Sequence, residues 1–538
     1  MYTRILITML SLLLFGACSV ETGPRIGDGL DDFEIDLNLN LVLTTEGTLQ
    51  GSEEGGLLVF RGVRYAVPPV GDLRFKAPQP PAAFTGMRTA FDFGVNCTQV
   101  AGDAIVGEED CLFLNVWAHD DDIVRPVMVY LHPGAGNNVG GDLASTEPSE
   151  FAAATDVVVV SLNRRIGALG YLAIDELIQE NPRVTAGNYG LLDVIAALDW
   201  VQNNIAEFGG DPNHVMVFGT SAGGQLSCQL LGAPEARGLL HAISLQSAPC
   251  SYGLLQRLND AAPFASVQPN AVDSHRDLLA ATACDMAGDI PACLRALPAE
   301  DVMLAATGVE TAVGHPIYVS LIDGVVVTAD PGKALEEQTV GDIPLIVGMA
   351  ANEIGSRFQN LVLVDEASYQ AQISAIFRAP FDTDLYALYP SANFASREEA
   401  FRTLFADVIF SCAAETMAFR AMAGAPSYLY EITRGFDSGS IAGRGAVHAI
   451  DSPYLFGTFN VFGYTPDPQA LAISEAMRTA WSSMAGDPTS TPAISADGTT
   501  LWPAYNDVTA SYAEFGDTIA GRSGHRGSRC AGVRAVLL

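Results

Sequence analysis

A short serine motif bracketed by glycines constrains the fold of this chain more than any other feature. Residues 219–223 read Gly-Thr-Ser-Ala-Gly and follow the apolar run 215–218, while residues 224–231 can continue as a helix. A strand, a sharp turn and a helix in this order form a nucleophile elbow. The helix N-terminus then directs N–H groups at the oxyanion that forms when Ser221 attacks a carbonyl. The motif therefore predicts a nucleophilic serine, and a glycine-rich turn is the alternative.

The hydrophobic pattern around this motif predicts alternating strands and helices. Residues 57–60, 127–131 and 157–160 are short apolar runs, and the last two are apolar throughout, as in strands buried on both faces. Residues 191–205 repeat apolar side chains at helical spacing. This alternation predicts an α/β fold with a central, mostly parallel sheet that is covered by helices on both faces.

The length of 538 residues allows either two or three ordinary domains or one large domain with insertions. No linker-like stretch divides the chain after the motif, so residues 44–538 are predicted to form a single domain. Residues 250–340 and 360–440 are rich in helical segments and turns, and we expect them to be large helical insertions that cap a site.

Composition and motifs exclude several classes of partner. The formal net charge is -34, and a chain this acidic repels nucleic acid and anionic lipid surfaces. The sequence has no His-Glu-x-x-His, no paired Cys-x-x-Cys and no glycine-rich phosphate loop followed by lysine. No cofactor, metal or nucleic-acid partner is therefore predicted, and the oligomeric state stays open.

The first residues resemble an export signal that ends in a bacterial lipobox. Arg4 supplies the positive charge, residues 5–17 form an apolar segment too short to span a bilayer, and small residues precede Cys18. Residues 1–18 are thus predicted to be a signal peptide, with lipidation at Cys18 as an anchor in the periplasm or outer membrane. The alternative is an ordinary cleaved signal and a secreted protein. Residues 19–43 are typical of a polar tether.

Export would expose the remaining cysteines to an oxidising compartment, so disulfides are expected. The predicted pairs are Cys97–Cys111, Cys284–Cys293 and Cys412–Cys530. Cys228 and Cys250 are left over, and the sequence does not decide whether they pair or remain thiols.

Further motifs resemble those of the type-B carboxylesterases, which include the cholinesterases. In chain order they are residues 60–71 (Phe-Arg-Gly-Val-Arg-Tyr-Ala-Val-Pro-Pro-Val-Gly), 109–117 (Glu-Asp-Cys-Leu-Phe-Leu-Asn-Val-Trp), 188–193 (Asn-Tyr-Gly-Leu-Leu-Asp), 200–205 (Trp-Val-Gln-Asn-Asn-Ile) and 208–212 (Phe-Gly-Gly-Asp-Pro). The resemblance extends over roughly residues 45–535. It implies the α/β-hydrolase fold and a serine esterase that cleaves small-molecule carboxylic esters through an acyl-enzyme intermediate.

The resemblance also implies a catalytic triad. Ser221 is the expected nucleophile, and His448 matches the family's histidine loop as general base and acid. Glu353, at the end of an apolar run, is the expected orienting acid, although an extra residue follows it before the next glycine. Asp323 is the alternative acid and His525 the alternative base, with a surface turn and an Arg/Gly-rich tail as their simpler interpretations.

The expected oxyanion loop departs from the family pattern. Residues 132–136 read His-Pro-Gly-Ala-Gly where the family usually has His-Gly-Gly-Gly, and Pro133 has no N–H to donate. By resemblance the donors are the amides of Gly134, Ala135 and Ala222. Loss of one such donor costs about 3 kcal/mol of transition-state stabilisation, so this loop is the main open question about rate.

Two ion pairs are expected from the resemblance to be structural. They are Arg74–Glu109 and Arg165–Asp193, which match buried salt bridges of the family. Removing one partner of such a pair is costly, because the other charge is then left buried and unpaired.

The same resemblance argues against choline esters. The loop between Cys97 and Cys111 has no aromatic residue to hold a cation, and Thr220 replaces the usual glutamate. A broad carboxylic-ester hydrolase is therefore predicted. The alternatives are a specialised hydrolase of one natural ester or amide, such as a toxin, polymer or antibiotic, and a non-catalytic surface binding protein.

Overall fold

The computed structural model describes residues 40–537, except for 103, 135–139, 143, 249, 251–254, 261–269, 314–316, 356–357, 359 and 496–498. The predicted signal peptide, Cys18 and residues 19–39 of the predicted tether lie outside this range. Leu41–Leu43 form a strand directly before residue 44, where the sequence predicts the start of the domain. From Asn40 onward the chain forms one compact unit. No helix in the described ranges is both long and apolar enough to cross a membrane.

The described residues form sixteen strands of 3 to 11 residues. In chain order they are β1 (Leu41–Leu43), β2 (Thr48–Gln50), β3 (Ser52–Glu54), β4 (Leu57–Arg64), β5 (Met87–Thr89), β6 (Gln99–Ala101), β7 (Ala104–Val106), β8 (Phe113–His119), β9 (Arg125–Leu131), β10 (Val158–Leu162), β11 (Gly210–Thr220), β12 (Ala242–Gln246), β13 (Leu345–Ala350), β14 (Ser427–Ile432), β15 (Tyr512–Phe515) and β16 (Ile519–Arg522). The three apolar runs of the sequence lie in β4, β9 and β10, apart from Val157, which directly precedes β10.

Helices follow most of the central strands. They are α1 (Ser149–Ala154), α2 (Gly167–Tyr171), α3 (Asp175–Glu180), α4 (Tyr189–Asn204), α5 (Ala222–Leu230), α6 (Ala271–His275), α7 (Asp277–Ala281), α8 (Ile290–Ala296), α9 (Ala299–Val313), α10 (Pro331–Glu336), α11 (Glu366–Ser374), α12 (Phe381–Leu388), α13 (Arg397–Ala406), α14 (Cys412–Ala421), α15 (Asp451–Phe456), α16 (Pro468–Gly486) and α17 (Ser528–Leu537). Helices α6–α10 and α11–α14 lie in the two segments expected to be insertions.

Eleven of the described strands form one sheet, in the order β16-β15-β14-β13-β12-β11-β9-β10-β8-β4-β3. The strands from β15 to β10 along this order run parallel to one another. Antiparallel pairs occur only toward the edges, where β8, β4 and β3 lie on one side and β16 on the other. The predicted mostly parallel sheet is therefore confirmed.

Both faces of the sheet are buried. In β9, Val127 and Val129 belong to one hydrophobic cluster, whereas Met128 and Tyr130 belong to another on the opposite face. Because successive side chains of a strand point to opposite faces, an apolar run without alternation is what two covered faces require. A third cluster lies among the helices α11–α14 and α17.

The parallel strands bring several polar segments to one edge. The carboxyl ends of parallel strands meet at the same edge of a sheet, where α/β proteins commonly place their sites. Ser221 directly follows β11, His132 follows β9 and Glu353 lies just beyond β13. Arg164 lies two residues beyond β10 at the same edge.

Candidate active site

The serine motif forms a strained turn between β11 and α5. Ser221 has φ 55° and ψ -120°, a backbone conformation that residues with a side chain rarely adopt. A Cβ on Gly219 would lie 2.5 Å from the carbonyl carbon of Gly223, and one on Gly223 would lie 1.9 Å from the carbonyl oxygen of Leu131. A side chain at either position would clash with the backbone, so both positions require glycine. The Ser221 N–H donates to the carbonyl of Gln246 at 2.9 Å and so joins the turn to β12.

A chain of hydrogen bonds joins Ser221, His448 and Glu353. The Nε2 atom of His448 lies 2.9 Å from Ser221 Oγ, and its Nδ1 atom lies 2.5 Å from Glu353 Oε2. The carboxylate can only accept, so Nδ1 carries the proton and Nε2 is free to accept from the serine hydroxyl. The Glu353 side chain is fully buried, and its other oxygen accepts from the Ala350 N–H at 2.7 Å. This geometry can transfer the serine proton to the imidazole.

Backbone contacts between two loops hold the acid and the histidine together. The Asn352 N–H donates to the carbonyl of Ala446, and the Asn352 side-chain amide donates to the carbonyl of Arg444 at 2.7 Å. The extra residue after Glu353, Ile354, is buried in the third hydrophobic cluster. The departure from the family pattern at this point thus leaves the glutamate within reach of His448.

An aromatic ring that the sequence analysis did not single out packs on the candidate base. The rings of Phe410 and His448 have centroids 5.2 Å apart. Phe410 lies in the π-helical turn Asp407–Ser411, which interrupts the run from α13 to α14. Such turns carry an extra residue and often occur at functional sites. No pattern around Phe410 in the sequence marks it.

Two of the three expected oxyanion donors can be located. Gly134 has φ +116°, which favours glycine, and follows Pro133. Ala222 is the first residue of α5, where N–H groups lack partners within the helix. Ala135 lies outside the described residues. His132, which begins the loop, is buried, and its Nδ1 donates to the Pro133 carbonyl at 2.9 Å.

The alternative acid, Asp323, belongs to a turn in which both of its oxygens accept hydrogen bonds. Its Oδ1 accepts from the N–H groups of Val325, Val326 and Val327. Its Oδ2 accepts from the hydroxyl of Thr185 at 2.5 Å. These bonds occupy both oxygens in stabilising the turn.

The alternative base, His525, is buried and paired with a glutamate. Its Nδ1 lies 2.9 Å from an oxygen of Glu415, and both side chains are almost inaccessible to solvent. Cys530 lies close to both residues, but its sulfur is bonded to Cys412. The cluster therefore offers no thiolate to a metal.

A second buried carboxylate, missed by the sequence analysis, lies three residues after His448. Asp451 accepts from the Tyr430 hydroxyl at 2.7 Å and from the Ser452 N–H at 3.0 Å, and Ser247 Oγ lies 3.4 Å away. Burial raises the pKa of Asp451 to about 6, although the hydrogen bond from Tyr430 opposes this. No motif in the sequence marks Asp451 as a buried carboxylate.

The described residues also hold four disulfides and the two expected ion pairs. The disulfides are Cys97–Cys111, Cys228–Cys250, Cys284–Cys293 and Cys412–Cys530, so the pair left open by the sequence is bonded as well. Arg74 and Glu109 make two hydrogen bonds of 2.7 and 2.5 Å, and Arg165 and Asp193 make two of 2.8 and 2.7 Å. The disulfides fit an exported protein.

Comparisons with known proteins show the family and the fold. Residues 38–531 match the model of the carboxylesterase family. Fumonisin B1 esterase of Sphingopyxis macrogoltabida is 32% identical over 77% of this chain and 74% of its own length. Phenmedipham hydrolase of Pseudarthrobacter oxydans is 30% identical over 86% and 92%, and para-nitrobenzyl esterase of Bacillus subtilis (strain 168) is 29% identical over 87% and 93%. A solved structure of a PNB esterase superposes with a TM-score of 0.78 at 27% identity, covering 93% of this chain and 99% of that one.

Proposed function

Because the chain belongs to the carboxylesterase family and has the α/β-hydrolase fold, we propose that Ser221, His448 and Glu353 carry out its hydrolysis of carboxylic esters. The observation that carries this assignment is the unbroken hydrogen-bonded chain from the Ser221 hydroxyl through the imidazole to the buried carboxylate. The three side chains come from three separate loops at one edge of the sheet, and an arrangement of this kind serves acyl transfer.

The reaction proceeds in two halves. His448 Nε2 removes the Ser221 proton while Oγ attacks the ester carbonyl carbon, and the negative charge develops on the carbonyl oxygen. The N–H groups of Gly134, Ala135 and Ala222 are the proposed donors to that oxygen. The imidazolium then protonates the departing alcohol, and a water activated by the same histidine hydrolyses the acyl-enzyme. Glu353 holds the imidazole and stabilises its positive charge.

The substrate is proposed to be a small carboxylic ester without a quaternary ammonium group. The absence of aromatic residues between Cys97 and Cys111, together with Thr220 next to the nucleophile, supports this choice. Two relatives are named for particular compounds, fumonisin B1 and phenmedipham, which supports a specialised hydrolase of one ester or amide as the second candidate. A non-catalytic binding role is disfavoured by the contact among the three triad side chains. Lipidation of Cys18 stays a prediction.

The assignment is tested with a fluorophosphonate probe and short-chain aryl esters on the purified protein. Labelling should map to Ser221, and Ser221→Ala should abolish it and lower kcat by about a millionfold. Glu353→Gln should lower kcat by about 10⁴-fold, because an amide in place of the carboxylate favours the wrong imidazole tautomer.

The matched control is Asp323→Asn. It removes charge from the alternative acid, so it should lower stability rather than kcat. Ester hydrolysis that survives Ser221→Ala, or an Asp323→Asn variant that loses as much kcat as Glu353→Gln, would contradict the assignment. No labelling of a folded sample would bring the binding-protein alternative to first place.

A further inference from the structure

Two adjacent arginines at the end of β10 have very different surroundings. Arg165 makes two hydrogen bonds to the carboxylate of Asp193, and both side chains are buried. Arg164 is equally buried but hydrogen-bonds through Nη2 alone, which donates to the carbonyl of His132 at 3.0 Å. Its Nε and Nη1 atoms have no hydrogen-bond partner in the described part of the chain, and no carboxylate there forms an ion pair with it.

Tyr171 is the neighbouring side chain that most affects the pKa of this guanidinium. Burial lowers the pKa of Arg164, and the neighbouring Tyr171 opposes that effect. A guanidinium stays protonated in proteins even so. The chain therefore keeps a positive charge in its interior without the carboxylate that stabilises Arg165, and burial of an unpaired charge is unfavourable for folding.

Arg164 lies beside both segments that form the proposed oxyanion site. It lines a small cavity with Ala222 and Gln225 of α5, and the cavity has room for about one water molecule. The carbonyl that accepts from it belongs to His132, two residues before Gly134. A Cβ on Gly223 would lie 2.7 Å from that same carbonyl oxygen, so the loop and the elbow abut here.

His132 itself adds no positive charge to the site. Burial first, and then the charge of Arg164, lower its pKa well below the ordinary value, so the imidazole is neutral. Its Nδ1 already donates to the Pro133 carbonyl, and its Nε2 has no partner among the described residues. The positive charge beside the start of this loop therefore comes from Arg164 and not from His132.

We propose that Arg164 is a positioning residue of the oxyanion site. Its hydrogen bond to the His132 carbonyl fixes the start of the loop that carries Gly134, and its unpaired charge favours the negative charge that develops on the substrate oxygen. Such a charge acts strongly because the surroundings are poorly polarisable and are already oriented before the reaction. The inference rests on the proposed function of Ser221.

The test compares Arg164→Met, which removes the charge at similar volume, with Arg164→Lys, which keeps it. An aryl trifluoromethyl ketone forms a reversible adduct with Ser221 that carries an oxyanion, whereas the matching alcohol binds without charge development. In Arg164→Met we expect kcat/KM and the affinity for the ketone to fall together, by about 10- to 100-fold. Alcohol binding should be unchanged, Tm should stay within a few degrees, and Arg164→Lys should recover part of both losses.

Two results would overturn the inference. One is equal ketone affinity in wild type and Arg164→Met. The other is a fall in Tm that accompanies an equal weakening of ketone and alcohol, because this pattern indicates a merely structural arginine. A wild-type protein that forms no ketone adduct would instead contradict the assignment of Ser221, so the two failures are distinguishable.

Discussion

At the scale of single residues, the most informative group outside the triad is Asp451. Its carboxylate is fully buried three residues after His448, and it accepts from Tyr430 and from the Ser452 N–H. Burial raises its pKa to about 6, and the negative charge of Glu353 acts in the same direction. The negative form of Asp451 is therefore less favourable in the folded protein than in the unfolded chain.

This shift predicts how stability depends on pH. An unfolded aspartate loses its proton near pH 4, whereas Asp451 keeps it to about pH 6. The free energy of unfolding therefore falls between about pH 4 and pH 6 and stays lower above that range. At neutral pH, ionisation of the buried Asp451 lowers the free energy of unfolding by about 3 kcal/mol. The Asp451→Asn variant has no ionisable group at this position. Its free energy of unfolding should therefore rise relative to that of wild type between about pH 4 and pH 6.

Urea denaturation of both proteins between pH 4 and pH 8 measures this difference. The exposed Asp122, changed to Asn, is the matched control and should give a curve parallel to that of wild type. Parallel curves for Asp451→Asn as well would show that the buried carboxylate does not titrate in the predicted window.

At the scale of elements, the loop after β9 decides how well charge on the substrate oxygen is stabilised. Gly134 has φ +116°, a conformation that is strained for any residue with a Cβ. Gly134→Ala should therefore displace the proposed donors and lower kcat by about 100-fold, with a smaller effect on KM. Steady-state kinetics with an aryl ester measures the change.

Pro133→Ala is the control for this loop. Pro133 has no N–H, so none of the proposed donors is lost when it is replaced, and kcat should stay within a few-fold of wild type. A large loss of kcat in Pro133→Ala together with none in Gly134→Ala would place the oxyanion donors elsewhere.

Local pattern explains which elements could be predicted. The helix expected over residues 191–205 is α4 (Tyr189–Asn204), and the strand expected over 157–160 is β10 (Val158–Leu162). Both follow from periodicity within one segment, and their ends shift because tertiary contacts set them. The turn at Ser221 is equally local, since the glycines that it requires are its immediate neighbours.

Long-range contacts explain what the sequence missed. Arg164 contacts a carbonyl 32 residues earlier, and Asp451 contacts a tyrosine 21 residues earlier. No motif around Arg164 or Asp451 indicates which distant residue the side chain contacts. The resemblance to the family placed Ser221, Glu353 and His448 at matching positions, but a polar contact that depends on packing between loops has no comparable motif.

At the scale of the whole molecule, the C-terminal segment adds two strands to the sheet and one helix to the helices beside it. Strands β15 and β16 extend the sheet, and the helix α17 packs against α12 and α14. Cys530 of α17 is bonded to Cys412, the first residue of α14, across a separation of 118 residues. Cys412 directly follows the π-helical turn whose Phe410 contacts His448, so this bond connects the end of the chain to the wall of the candidate site.

Loop length predicts that this disulfide stabilises the protein more than a short-range one. A cross-link lowers the entropy of the unfolded chain, and the effect grows with the loop that it closes. Replacing Cys412 and Cys530 by alanine should cost about 5 kcal/mol of the free energy of unfolding. The same replacement at Cys284 and Cys293, which are separated by 9 residues, should cost about 3 kcal/mol.

Urea denaturation of the two double variants measures the difference, and ester hydrolysis during heating reports on the site. If Cys412–Cys530 supports the wall beside His448, its removal should lower the temperature of half-inactivation more than removal of Cys284–Cys293 does. Equal losses in both variants would mean that the unfolded chain is held compact by other contacts, since loop entropy would then not set the order. If α17 unfolds on heating before activity is lost, the stability of this C-terminal helix does not set the stability of the candidate site.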